Sequence, residues 1–300
     1  MKSIKEFFVL FLFFSLLTYF VMFFKRQESA QMMDNYGALS EFSHNAGYFV
    51  SCREDEVSLS LPVEYYLVGA LAASVPVEYE PELLKAQAIV LRSTLCSNFA
   101  EGKYPVSEEE DAGFWSDKEM QSVWGDAYEE NVKKCLDAVI RTQGVYLAYN
   151  GKPIEGFFHG MSAGQTRDGA ELSHTDEYGY LKKADCTDNL AAPEYAEEIK
   201  IRVRDVGELK NPVTNESGYV ITLQREGENI SGEKFQKESS LPSSNVTWER
   251  DGEYYIFRSR GKGHGFGLDQ YYGNVLAKKG MDYREILAYF FSDITYQRME

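Results

Sequence analysis

Three side chains with an affinity for soft metals, His159, His174 and Cys186, fall within residues 159–186. Zinc takes imidazole and thiolate ligands but is normally four-coordinate, and this stretch supplies three ligands without an obvious fourth. A structural zinc on these residues is one expectation, and ordinary packing of the same side chains is the other. His264 stands between Gly263 and Gly265, where missing Cβ atoms let another backbone approach closely. It can contact a ligand or hold a turn. Glu78, Glu80 and Glu82 form a run of acids that could move protons, although charged loop residues are ordinary surface.

Such groups work only if regular elements hold them. Val63, Tyr66, Leu67, Ala70 and Leu71 share one helical face, and Pro76 ends that helix. Pro81 begins a second helix with Glu82 in its first turn, and Leu84, Ala88, Leu91 and Leu95 form its apolar stripe. Ser116 and Glu119 have capping-box spacing ahead of a long amphipathic stretch that Gly144 closes. Next, Asn150-Gly151 predicts a type I′ hairpin between Val145–Tyr149 and Lys152–Phe158. Strands follow at 199–203, 219–224, 246–250 and 254–258, then helices at 268–279 and 283–291. The order predicts an α+β fold, a helical and hairpin core with a β-rich lobe.

Composition narrows the function classes. The 300 residues carry a net charge of −16; the first 26 contribute +3 and the remainder −19. A surface this acidic repels nucleic acid phosphates, so no nucleic acid partner is expected. Phe7 to Phe24 is eighteen residues without a charge, flanked by Lys2, Lys5, Lys25 and Arg26. That length suits a transmembrane helix, and no small-x-small cleavage site follows it. The chain therefore divides into an anchor at 1–26, a juxtamembrane stalk at 27–58 and a folded part at 59–300. The expected location is the cell membrane, single-pass, with the bulk extracytoplasmic. Cys52, Cys96, Cys135 and Cys186 allow two disulfides or simple burial.

Three blocks carry a family resemblance. Leu61-Pro-Val-Glu-Tyr-Tyr-Leu-Val-Gly-Ala-Leu-Ala-Ala-Ser-Val-Pro76 runs into Glu82-Leu-Leu-Lys-Ala-Gln-Ala-Ile-Val-Leu-Arg92. Phe158-His-Gly-Met-Ser-Ala-Gly-Gln-Thr166 is the second, followed by Tyr180-Leu181 and Cys186. Gly261-Lys-Gly-His-Gly-Phe-Gly-Leu-Asp-Gln-Tyr271 is the third. In this order they resemble the stage II sporulation protein D and amidase-enhancer family, across roughly residues 60–292.

The resemblance implies peptidoglycan chemistry. Sporulation members of that family are lytic transglycosylases, whose carboxyl group protonates the leaving oxygen and then accepts a proton from the sugar hydroxyl. The family places that glutamate two residues before the proline, where this chain has Ser74. A hydroxyl does not titrate near neutral pH and cannot take that role. Glu78 is the nearest candidate substitute. Carried over from the matching blocks, Gln87, Arg92, Ser162, Gly164, Thr166, His264 and Gln270 are the expected glycan-binding residues. Some sporulation members hold a structural zinc near the loop that matches His159, His174 and Cys186. Three functions are thus open: glycan binding at a degenerate lytic site, cleavage by a displaced carboxylate such as Glu78, or activation of a separate wall amidase. The expected partners are glycan strands, other wall hydrolases and the membrane.

Overall fold

The computed structural model describes Gly37 and residues 48–299, apart from 55–56, 103–105, 108–112 and His174; the side chains of 52–59 and 103–112 also lie outside the described set. The expected anchor, most of the stalk, the Cys52 side chain and His174 therefore fall outside it. Among the described residues no helix is long and apolar enough to cross a membrane.

A hairpin of β1 (Phe49–Glu54) and β2 (Val57–Pro62), with β3 (Val106–Ser107) alongside β1, leads into α1 (Val63–Ser74). This helix is small and apolar nearly all round, and Glu64, Val68, Gly69 and Ala72 are buried along with the predicted face. It is a core helix rather than an amphipathic one. A Cβ on Gly69 would lie 2.3 Å from the Trp115 carbonyl, so only glycine admits that chain. After Ser74, Val75 turns extended, as the residue preceding a proline prefers.

The next helix, α2 (Pro81–Ala100), opens with proline at its first position, where the missing N–H costs nothing. Its Arg92 is wholly buried. Nε and Nη2 each donate at 2.8 Å to the carboxylate of Glu64, and Nη1 donates to the Val145 carbonyl at 2.9 Å. The Gly144 N–H also donates to Glu64, at 3.1 Å. Two charges removed from water are thus matched by geometry and extra hydrogen bonds, which is the condition for such a pair to persist. The pair joins α1 and α2 to the start of the following hairpin.

The predicted capping box is present: the Ser116 hydroxyl accepts from Glu119 N–H while the Glu119 carboxylate accepts from Ser116 N–H. The amphipathic stretch is two helices, α3 (Asp117–Trp124) and α4 (Tyr128–Arg141), because Gly125 at φ 52° breaks it. Gly144 follows at φ 72°. Asn150 and Gly151 both have positive φ, as a type I′ turn requires, between β4 (Val145–Tyr149) and β5 (Lys152–Pro153). The returning strand is shorter than predicted. Phe158–His159 forms a separate strand, β6.

The lobe at residues 196–260 has its own apolar cluster around Phe235, Leu223 and Phe257. It runs β7 (Ala196–Arg202), α5 (Val203–Val206), β8 (Leu209–Thr214), β9 (Val220–Arg225), β10 (Glu228–Ser231), α6 (Gly232–Glu238), β11 (Val246–Asp251) and β12 (Tyr254–Arg260). Two three-stranded sheets result, in the orders β10-β9-β8 and β11-β12-β7. The chain then returns to the first core through β13 (Leu268–Asp269), parallel to β6, and α7 (Gln270–Lys278). It ends with α8 (Tyr283–Phe290) and β14 (Thr295–Arg298), which pairs with β4. Helices and mainly antiparallel strands make this an α+β fold, as the sequence predicts.

Candidate functional site

The three sequence blocks meet at the N-terminal turn of α7. Asp269, the N-cap, is wholly buried and accepts from the Tyr272 N–H at 2.9 Å. It also accepts from the Ser162 N–H at 2.8 Å and the Asn189 amide at 2.6 Å. His159 turns Nδ1 to the Phe266 carbonyl at 3.0 Å and places Nε2 3.7 Å from the Asp269 carboxylate. At 3.7 Å that last contact is too long for a hydrogen bond. Burial would raise the Asp269 carboxyl, but His159, the Tyr272 N–H and the Ser162 side chain outweigh it and hold the carboxyl below its ordinary range. Asp269 is an ionised structural hub, with its acceptor capacity spent inside the protein.

One residue later, Gln270 donates Nε2 to the Ser74 carbonyl at 2.7 Å and approaches the Gln87 amide oxygen at 3.3 Å. One helical turn on, the Asn274 amide oxygen accepts from the Glu80 N–H at 2.8 Å. Gln270 and Asn274 share a face of α7 at i and i+4. Together they clamp both ends of the 74–80 loop. Gly273 lies between them, where an added Cβ would stand 2.8 Å from Leu83. The Ser74 hydroxyl, half-buried, reaches back to the Leu71 carbonyl at 3.3 Å.

The third block is threaded against the second. Gly261, Gly263, Gly265 and Gly267 all have φ between 72° and 96°. A Cβ on Gly267 would sit 2.1 Å from the Phe157 carbonyl, and one on Gly261 2.6 Å from the Met161 carbonyl. Alternate glycines therefore let this ribbon lie on the 157–162 backbone. The lobe secures the same loop from outside. The Tyr219 hydroxyl accepts from the Ala163 N–H at 2.9 Å. Arg167 lies over the Phe266 ring at 4.2 Å and reaches Glu171 and Glu233 at 2.9 and 2.7 Å.

The expected site residues separate into two sets. Arg92, with its fork on Glu64, is scaffold and does not reach a surface. Ser162 and Thr166 are also fully buried. Thr166 bridges the Lys182 carbonyl and the Ala184 N–H, at 3.0 and 2.8 Å. Gly164 accepts from the Cys186 N–H at 2.9 Å. His264 turns both nitrogens to backbone: Nδ1 accepts from the Phe266 N–H at 3.0 Å, and the Phe158 carbonyl takes the other. Burial first, then His159 and Arg167, pushes the His264 imidazole down to about 3. It is a neutral turn residue that can offer a ring edge to a ligand. Gln87 is buried against Gln270, and its Nε2 has no hydrogen-bond partner among the described residues. Glu78 is exposed.

Of the expected zinc set only His159 and Cys186 are among the described residues. No three His, Cys, Asp or Glu side chains there are grouped to hold a metal. Burial pushes the Cys186 thiol up, and its Sγ donates to the Ala184 carbonyl at 3.7 Å. His174 lies outside the described residues. Cys96, Cys135 and Cys186 are free and buried, which is the small apolar reading rather than the disulfide one.

Around Ser74, sequence reasoning overlooked Tyr79 and Tyr271. Both are half-buried, and neither hydroxyl has a hydrogen-bond partner among the described residues. Burial first, then Asp269, Tyr271, Glu194 and Glu78, pushes the Tyr79 phenol up to about 12, so it stays a donor. The rim of this surface thus offers aromatic rings and a phenol donor near the Ser74 hydroxyl. Asp269, Asn189 and Tyr219 were also missed, since their roles depend on contacts distant in sequence.

A small α+β core with an inserted β-lobe, knitted by these three blocks, defines the protein class. A model of the family described as Stage II sporulation protein matches residues 54–149. Stage II sporulation protein D of Bacillus subtilis (strain 168) is 32% identical over 253 residues, covering 77% of this chain and 73% of that protein. Its counterpart in Bacillus amyloliquefaciens is 28% identical over 255 residues, covering 78% and 74%. An uncharacterized protein of Brachyspira hyodysenteriae is 24% identical over 254 residues, covering 78% and 66%. The chain belongs to the stage II sporulation protein D family, a family of sporulation proteins.

Proposed function

We propose that this chain is a membrane-anchored sporulation protein that binds peptidoglycan glycan strands at the Ser74 surface without cutting them. The observation that carries the reading is Ser74 itself. Gln270 and Asn274 hold its loop at both ends, yet the side chain there is a hydroxyl, which supplies no proton near neutral pH. Two acids near it, Asp269 and Glu78, are unsuited to replace it. Asp269 is buried, ionised and saturated with donors. Glu78 is exposed, whereas a carboxyl that delivers a proton at neutral pH is ordinarily set in an apolar pocket.

What remains suits recognition. Tyr79 and Tyr271 present ring faces on which the C–H face of a sugar can stack, with phenols to donate at its edge. The anchor reading rests on the eighteen uncharged residues from Phe7 to Phe24. The binding claim is tested by co-sedimentation of the full-length chain, kept in solution with mild detergent, with insoluble glycan strands stripped of peptide. Wild type should pellet with the glycan, and Tyr79→Ala combined with Tyr271→Ala should stay in the supernatant. A wild type that stays in the supernatant contradicts the reading.

A further inference from the structure

The last strand, β14, lies at the edge of the sheet β14-β4-β5. Antiparallel pairs bond at alternate residues, so a ladder to one neighbour leaves half of an edge strand's backbone groups pointing away. Tyr296 and Arg298 stand opposite Leu147 and Val145. Those two residues spend their backbone groups elsewhere. The Leu147 carbonyl accepts from the Ile154 N–H at 3.1 Å, and its N–H donates to the Ser93 hydroxyl at 2.9 Å. The Val145 N–H donates to the Thr142 carbonyl at 3.0 Å, and its carbonyl accepts from Arg92 at 2.9 Å. The N–H and C=O groups of Tyr296 and Arg298 therefore face outward, with no hydrogen-bond partner among the described residues. Such an edge is a template for another strand.

Two arginines accompany that edge. Tyr296 and Arg298, two residues apart, project from one face of β14. The exposed Arg284 guanidinium lies 5.0 Å from the Tyr296 ring centre and 5.6 Å from that of Tyr283. Its Nε donates to the Tyr283 hydroxyl at 3.1 Å, and the Tyr296 hydroxyl donates to the Arg284 carbonyl at 3.3 Å. Two rings thus hold the fork, while Nη1 and Nη2 have no acceptor among the described residues. Arg298 gives Nε and Nη2 to the Gln143 carbonyl at 3.2 and 3.1 Å. Neither guanidinium forms an ion pair with a carboxylate among the described residues. Asp282 and Glu285 spend their carboxylates on the capping box of α8, and Asp282 acts on Arg284 only at longer range. By contrast, Arg141, Arg225, Arg250 and Arg258 each pair with a carboxylate.

Each feature names part of a partner. A strand laid against β14 gains main-chain hydrogen bonds, and its side chains decide whether it is accepted. A guanidinium held in place with both terminal nitrogens free takes a carboxylate bidentately. Tyrosine and arginine are also the side chains that most often anchor protein interfaces. The chain as a whole, at a net charge of −16, repels acidic partners, so two arginines without carboxylates at one edge mark where such a partner is admitted. We propose that the outer edge of β14 is a docking strand for an extended, acidic segment of a partner protein.

The test is fluorescence anisotropy of the full-length chain, kept in mild detergent, with three labelled probes. These are a short peptide of alternating valine and glutamate, its glutamine counterpart, and the glutamate peptide N-methylated at alternate backbone nitrogens. The glutamate probe should bind about tenfold tighter than the glutamine probe, a difference of about 1.4 kcal/mol. Arg284→Gln with Arg298→Gln should abolish that preference while the circular dichroism spectrum stays unchanged. The N-methylated probe should lose binding, because it cannot complete the ladder. Equal affinity for the glutamate and glutamine probes, or an N-methylated probe that binds as well, would overturn the inference. So would a wild-type dimer in sedimentation that Arg284→Gln splits, which gives the edge to a second copy. Tighter glutamate binding after Glu28→Gln, Asp34→Gln and Glu41→Gln together would give it to the chain's own stalk, and would overturn the inference as well.

Discussion

The Gln270 amide donates to the carbonyl of Ser74 at 2.7 Å, across 196 residues of sequence. This contact fixes the Ser74 end of the 74–80 loop to the first turn of α7. Gln270→Ala should leave the Ser74 carbonyl and the Gln87 amide oxygen without their donor. An orphaned, largely buried acceptor costs about 1–3 kcal/mol, so the urea midpoint should fall by a corresponding amount. An unchanged midpoint would mean that the clamp does not hold the loop.

The Glu64–Arg92 pair should behave as a unit. Glu64→Gln leaves a buried guanidinium uncompensated, a loss of about 3–5 kcal/mol. Replacing both residues, Glu64→Leu with Arg92→Met, should cost less than either single change. A double-mutant cycle in urea measures this, and additive losses would show that the pair is not coupled.

Stability should decline with acid in two stages. His264 is held neutral down to about 3 in the fold, while an unfolded imidazole protonates near 6.5. Its contribution is fully present above that pH and is lost as the pH falls from there towards 3. Asp269 is held below its ordinary range, so its contribution is present above about pH 4 and is lost below it. Unfolding measured from pH 7 to pH 3 should show the first stage, and His264→Phe should flatten it. A wild type equally stable at pH 6.5 and pH 4 would contradict the assignment.

Local signals were legible in the sequence because neighbours along the chain set them. The Ser116–Glu119 box, the Asn150-Gly151 turn and proline at the start of α2 all need a few adjacent residues. The buried polar framework was not legible. Glu64 reads as a helix surface residue until α2 brings Arg92 against it, and Arg92 reads equally well as a groove residue. Asp269 gains its role from Ser162 and Asn189, 107 and 80 residues away. The glycine ribbon was legible as close approach, but not what it approaches. Tyr79 escaped notice because a lone loop tyrosine has no pattern.

The anchor has a simple check. After alkaline carbonate extraction of membranes, the full-length chain should remain in the pellet. A soluble product that begins near Gln31 would contradict an uncleaved anchor and leave the surface around Ser74 unaffected.

The central claim is that the family's framework is intact here and that only its acid is missing. Incubating wild type and Ser74→Glu with purified glycan strands, then weighing the products for anhydro-sugar ends, addresses it most directly. Restoring general acid–base assistance is typically worth ~10²–10⁴-fold, so even partial recovery stands above background. The account predicts no anhydro ends from wild type and measurable ends from Ser74→Glu. Robust turnover by wild type would contradict it.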